Sequence, residues 1–199
     1  MFGSSIGSDS RFSSWQEGFD SPTEYHLWET SICQGAQLLT LQCYTSSPAR
    51  LNMKINPATL TDIPQLCILL DELFGQEAEF TPDHKLQERG LSKILNNEDI
   101  GVILVVRESD KVIGMVNILY TISTALGERV GNLEDMVVLP EYRNRGIGSK
   151  LLSYALNFAK KSGCQRITLL TDDDNQDAHR FYLKNGFSRS SMVPFRLKT

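Results

Sequence analysis

Asn132 to Lys150 reads NLEDMVVLPEYRNRGIGSK. An apolar, largely β-branched run (Met136, Val137, Val138, Leu139) passes through Pro140 into Arg143-Asn144-Arg145-Gly146-Ile147-Gly148, and an amphipathic segment follows at once. This order predicts a strand, a basic glycine loop and a helix N-terminus. In the helix, Ile147, Leu151, Ala155, Phe158 and Ala159 share one face. Lys150, Ser153, Asn157, Lys160 and Lys161 lie opposite, and Gly163 stands where a C-cap belongs. Such a junction suits a polyanion. The first N–H groups of a helix have no intrahelical partner, the helix dipole adds partial positive charge, and glycines let a phosphate approach the main chain. Arg143 and Arg145 add charge and forked donors.

Spacing separates the phosphate loops that could be read here. A Walker loop needs Gly-Lys-Ser/Thr where this chain has Gly148-Ser149-Lys150, and a dinucleotide fingerprint needs a third glycine where Leu151 stands. The pattern basic-x-x-Gly-x-Gly after Val-x-Pro, carried by Val138, Pro140, Arg143, Gly146 and Gly148, resembles the pyrophosphate loop of the GNAT family of N-acetyltransferases. A second block, Asn175 to Phe187 (NQDAHRFYLKNGF), resembles the same family's Asn-x-x-Ala-x-x-Phe-Tyr-x-x-x-Gly-Phe helix. Between the blocks, Arg166 to Thr171 (RITLLT) reads as a buried strand.

The resemblance implies an α/β fold with a mixed, mostly antiparallel, twisted sheet that splays at a cofactor cleft and is flanked by about four helices. It implies acetyl-CoA as cosubstrate and no metal. Main-chain groups of Met136, Val137 and Val138 would hold the pantetheine arm as though it were another strand. Arg143, Asn144, Arg145, Gly146, Ile147, Gly148, Ser149 and Lys150 would surround the pyrophosphate. Asn175 would contact the pantetheine, or else N-cap its own helix. Tyr182 would lie near the thioester sulfur as the acid, or else pack in the core beside Phe181; adjacent helical residues point about 100° apart, so both need not be buried.

Acetyl transfer to an amine needs a neutral nucleophile, a polarised carbonyl and a proton for the leaving thiolate. An alkyl ammonium with a pKa of about 10.4 is protonated at neutral pH, so a base or water chain must take its proton. Glu134 and Asp135 are the carboxylates at hand. Neighbours on a strand face opposite ways unless a bulge intervenes. The resemblance selects Glu134 as the water-linked base, because related diamine acetyltransferases carry the same Leu-Glu-Asp sequence; Asp135 is its rival, and a surface carboxylate paired with a nearby cation is the plainer alternative. The cofactor-side blocks look most like diamine and polyamine acetyltransferases, while amino acids, aminoglycosides and peptide amines stay open as acceptors. A non-catalytic acyl-CoA-binding regulatory module is the other class of reading, and it would need neither Glu134 nor Tyr182.

Residues 53–199 are expected to form the acetyltransferase domain. Met53 to Ala58 reads as a strand, followed by a helix with Thr61 as N-cap, Pro64 in its first turn, Ile63, Leu66, Cys67, Leu70, Leu73 and Phe74 as its stripe, and Gly75 at its end. A second helix runs from about Asp83 to Leu95. Glu77 and Glu79 between them would attract a cationic amine or simply be solvated. A meander follows: Ile100 to Glu108, a turn at Ser109-Asp110, Lys111 to about Thr124, and Arg129 to Leu139. Continuous Leu and Val predict strands covered on both faces. Ser191 to Lys198 (SMVPFRLK) has strand character, with Pro194 suited to an edge. Family members commonly dimerise through their last strands, so a homodimer stays open.

Residues 1–52 differ from the rest. They are rich in Ser, Gly and Gln, hold Trp15 and Trp28, and carry no catalytic motif. They are expected to be a poorly ordered or upstream extension, with docking of their aromatics as the sharper alternative. Five acidic residues against two arginines give this segment a net charge of −3, which leaves −1 of the chain's −4 for the remainder and argues against a nucleic-acid surface. No apolar run is long enough to cross a bilayer. The four cysteines lack metal-ligand spacing and no signal peptide opens the chain, so a cytoplasmic location is expected.

Overall fold

The computed structural model describes residues 53–76 and 82–197. The expectations placed on residues 1–52, on Glu77 and Glu79, and on Lys198 lie outside the described residues. Five strands form one sheet in the order β1-β2-β3-β4-β5: β1 is Met53–Pro57, β2 Gly101–Glu108, β3 Lys111–Ser123, β4 Glu128–Val138 and β5 Ile167–Leu169. The first four pair antiparallel, and β5 joins β4 in parallel. The flanking helices are α1 (Ile63–Phe74), α2 (His84–Leu95), α3 (Ile147–Lys161) and α4 (Gln176–Lys184).

Alternation along the central strands makes two cores. Ile103, Val105, Val112, Met115 and Val137 pack under α1 and α2 with Leu66, Leu69, Leu70 and Leu91. Leu104, Val106, Val116, Ile118 and Leu133 face the other way, onto Ile147, Leu151, Leu152, Ala155 and Ala159 of α3, with Phe181 and Tyr182 of α4 at the margin. The continuous apolar runs of β2 and β3 therefore mark strands covered on both faces.

The N-terminus of α1 is fixed by charge rather than by the expected cap. Thr61 lies within a short 3₁₀ turn, Leu60–Asp62, and α1 begins only at Ile63, with Pro64 in its first turn. Asp62 accepts the N–H of Thr59 at 2.7 Å and both guanidinium ends of Arg107, at 2.9 and 2.6 Å, so the start of α1 is tied to β2. Asp71 links the helical pair, accepting from Gln87 Nε2 at 2.9 Å and meeting His84 Nε2 at 2.5 Å. Asp83 caps α2 by accepting the N–H groups of Lys85 and Leu86.

Two strand expectations are corrected. The Arg166–Thr171 segment supplies only Ile167–Leu169, half-exposed rather than buried, because among the described residues it is an edge with a neighbour on one side only. Residues 188–197 form no strand; Met192, Val193, Phe195 and Leu197 are exposed, and Pro194 has no N–H to give a ladder.

Candidate active site

β4 carries the site because its two edges differ. Toward β3 it is paired over most of its length, whereas β5 matches only Gly131, Asn132 and Leu133. Among the described residues no strand continues that pairing, so among them Glu134 to Val138 have an open side. On the paired side the register shifts: Asn117 faces Glu134 and Met115 faces Val137, which leaves Asp135 and Met136 together against Val116. Asp135 takes φ 49°, a left-handed conformation that Asp tolerates better than most side chains. This bulge breaks the strict alternation expected of neighbouring residues. Glu134 is exposed, while the half-buried Asp135 accepts a hydrogen bond from Asn117 Nδ2 at 2.5 Å.

Beyond Leu139 a 3₁₀ turn, Pro140–Tyr142, leads into the basic loop. Asn144 (φ 60°) and Gly146 (φ 73°) are both left-handed, and Gly146 is the N-cap position of α3. A Cβ on Gly146 would meet no atom within 4 Å, so glycine is favoured there by the backbone angle and not by crowding. The first bond into the helix runs from Lys150 N–H to the Gly146 carbonyl at 3.1 Å. The N–H groups of Ile147, Gly148 and Ser149 thus precede it and have no acceptor within the helix. Ile147 anchors the turn by being buried, and Lys150 is exposed. The two arginines part company. Arg143 donates to the Val138 carbonyl at 2.8 Å and to Glu72 of α1 at 3.0 Å. Arg145 lies over the Tyr142 ring, 5.5 Å from its centroid.

The second sequence block forms α4. Asn175 Oδ1 accepts the Ala178 N–H at 3.0 Å and so caps the helix. Phe181 lies beside Gly148, whose Cβ would sit 3.6 Å from the ring, so α4 closes over the start of α3. Tyr182 makes edge-to-face contacts with Phe181 and Phe187, at centroid distances of 5.2 and 5.6 Å. Burial raises its pKa above the ordinary tyrosine value, which keeps the phenol protonated. His179, given no role from sequence, hydrogen-bonds the Asp172 carbonyl at 3.0 Å.

The loop, the open side of β4 and α4 therefore meet around the start of α3. They fit a thioester carried on a long polyanionic arm: unpaired amides and Arg145 for phosphates, free strand edge for amide groups, and a protonated phenol nearby. Sequence reasoning missed Asn117 of β3 and Gln87 of α2, both buried amides. The signal for the first was one amide inside the apolar run VIGMVNILY.

A model of the acetyltransferase (GNAT) family matches residues 64–187. The chain belongs to the GNAT family. It is similar to the aminoalkylphosphonate N-acetyltransferase of Salmonella typhimurium, 29% identical over 137 residues, which cover 69% of this chain and 86% of that one. It is also similar to the uncharacterized N-acetyltransferase YhfO of Bacillus subtilis, 33% identical over 122 residues, covering 60% and 81%. Among solved structures, glucosamine-6-phosphate N-acetyltransferase from Arabidopsis thaliana shares the GNAT fold with a TM-score of 0.59 and 23% identity, over 73% of this chain and 97% of its own. The chain is accordingly an N-acetyltransferase, and GNAT enzymes use acetyl-CoA as cosubstrate. Among the described residues no helix is long and apolar enough to cross a membrane, and no three His, Cys, Asp or Glu gather as a metal site.

Proposed function

We propose that the chain moves an acetyl group from acetyl-CoA directly to a primary amine of a small molecule or peptide. The observation that carries this reading is the open side of β4 from Glu134 to Val138, joined through the Pro140–Tyr142 turn and the basic loop to the start of α3, whose first amides have no acceptor within the helix. Acetyl-CoA supplies the activated thioester. Met136, Val137 and Val138 hold its pantetheine arm by main-chain hydrogen bonds, and Ile147, Gly148 and Ser149 offer their amides to the pyrophosphate within a loop that also includes Asn144, Gly146 and Lys150. Arg145 adds the charge, and Arg143 braces the loop. With its oxygen used as a cap, Asn175 has its amide NH₂ left for the arm.

Glu134, exposed beside the bulge, takes the ammonium proton through water. The amine nitrogen then forms the C–N bond as the C–S bond breaks, Tyr182 donates its proton to the departing thiolate, and the acetylated nitrogen sheds its remaining extra proton, which restores the Tyr182 phenol and leaves a neutral amide. Tyr182 suits that task because burial holds its proton. A diamine or polyamine is the acceptor suggested by the Leu-Glu-Asp strand. The relative from Salmonella typhimurium is named for an aminoalkylphosphonate, so that class belongs in the same assay.

The test is thiol release from acetyl-CoA by the full chain with diamines, monoamines, amino acids, aminoglycosides and peptides, each product checked by mass for an added acetyl group. Release with an amine class establishes the transfer. Tight acetyl-CoA binding with no release for any amine would replace this reading with that of a regulatory acyl-CoA-binding module.

A further inference from the structure

The turn between β2 and β3 reaches across to the basic loop. Tyr142, which ends the 3₁₀ turn before that loop, donates its phenol hydrogen to Glu108 Oε2 of β2 at 2.7 Å. Lys111, the partner of Glu108 across the hairpin, donates to Glu141 Oε1 at 3.0 Å, and its Nζ stands 5.2 Å from the centroid of the Tyr142 ring. The ring is half-buried against the core beneath α3, so packing and its hydroxyl both hold it. Arg145, exposed and three residues on, sets its guanidinium carbon 5.5 Å from the same centroid. Among the described residues Arg145 makes no ion pair.

A guanidinium near a ring face is attracted by the ring quadrupole, and a phenol that gives its hydrogen bond to a carboxylate presents a more electron-rich face. An exposed arginine gives up rotamer freedom when a phosphate orders it. Resting on a fixed ring removes part of that loss in advance. Glu141 is the carboxylate placed to undo this arrangement. Hydrogen bonds from its own N–H and from Lys111 hold its pKa down, and the charges of Lys111 and Arg145 lower it further, so it is ionised and within electrostatic reach of Arg145. Lys111 occupies it.

We infer that Tyr142 is a positioning residue for acetyl-CoA: its ring, fixed by Glu108, pre-sets Arg145 for the pyrophosphate, while Lys111 keeps Glu141 from capturing that arginine. The inference rests on the reading above in which Arg145 meets the pyrophosphate. Glu108, Lys111 and Tyr142 act through Arg145 and not by touching the cofactor, so their effects must vanish when Arg145 is removed.

Calorimetric titration of the full chain with acetyl-CoA, and with S-acetylpantetheine, which carries no phosphate, tests this. Tyr142→Leu should weaken acetyl-CoA binding about three- to fivefold, the scale of one cation–π contact, and by less than about 1.5-fold in an Arg145→Ala background. Tyr142→Phe keeps the ring and should stay within about twofold of the parent. Lys111→Ala, at an exposed position that folding tolerates, should cost about threefold by freeing Glu141, nothing once Arg145 is alanine, and nothing when Glu141→Gln accompanies it. S-acetylpantetheine should bind all of these variants alike. Losses from Tyr142→Leu or Lys111→Ala that are as large in the Arg145→Ala background, or that appear equally with S-acetylpantetheine, overturn the inference and leave Tyr142 a packing residue, with Arg145 still on the phosphates. Arg145→Ala that binds acetyl-CoA as the parent does overturns the reading of Arg145 itself, and the inference with it.

Discussion

Arg143 grips two elements at once: its Nε donates to the Val138 carbonyl at 2.8 Å and its Nη2 to Glu72 at 3.0 Å. The first basic residue of the phosphate loop therefore ties the end of β4 to α1, while Arg145 sits over Tyr142 with no such tether to α1. The two arginines should separate on mutation. Arg145→Ala is expected to weaken acetyl-CoA binding roughly tenfold, the scale of one charge-assisted hydrogen bond. Arg143→Ala should weaken it less than about threefold while lowering stability by ~1 kcal/mol or less, as for a largely exposed pair. Calorimetric titration with acetyl-CoA checks both, and equal losses would return Arg143 to the phosphates.

Gly146 and Gly148 should separate too. Alanine at Gly146 meets no neighbour but must hold φ 73°, which costs about 1–2 kcal/mol in unfolding free energy. Alanine at Gly148 would make only an ordinary 3.6 Å contact with Phe181 and should leave stability within ~0.5 kcal/mol. Denaturant titration of the two variants decides.

The Asp62–Arg107 pair sets an acid limit on stability. Burial by itself would raise the Asp62 pKa, but hydrogen bonds from Arg107 and Thr59 outweigh it and hold the carboxyl below the usual range. Because the folded pKa is the lower one, this contribution is complete above the unfolded value of about 3.9 and fades as pH falls through the folded value. Melting temperature should therefore drop below about pH 4, and Asp62→Asn should lack that part of the acid limb. The same variant should cost ~3 kcal/mol at pH 7 by leaving a mostly buried guanidinium without its charge partner.

What was legible in the sequence follows from what each pattern encodes. The β4–loop–α3 junction and the α4 block could be read because glycine spacing, basic residues and helical periodicity are local. Central strands β2 and β3 declared themselves by apolar runs that only a doubly covered strand needs. β5 was overread because RITLLT has the composition of a core strand, and composition does not reveal that its outer side has no neighbouring strand among the described residues. The α1 cap was misplaced at Thr61 because Asp62 takes its role from Arg107, which lies 45 residues away in sequence. The bulge at Asp135 and the placing of Asn117 beside it depend on register between β3 and β4, which no single stretch carries.

The alkaline side of the rate profile offers a check on Tyr182. Burial raises its pKa above the ordinary value of about 10, so a phenol acting as proton donor stays loaded across neutral and moderately alkaline pH. Acetyl transfer should show no loss below about pH 10 that Tyr182→Phe removes. A falling limb centred near pH 8, absent in that variant, would mean the phenol ionises far more easily than its burial allows.

The most direct test of the central claim is single-turnover acetyl transfer by the full chain and by Tyr182→Phe, with acetyl-CoA affinity measured on both. The phenylalanine ring keeps the contacts to Phe181 and Phe187 and removes only the hydroxyl with its proton, so transfer should slow by about 10²-fold or more while acetyl-CoA affinity stays within about threefold. An unchanged transfer rate would contradict the account and remove Tyr182 from the chemistry.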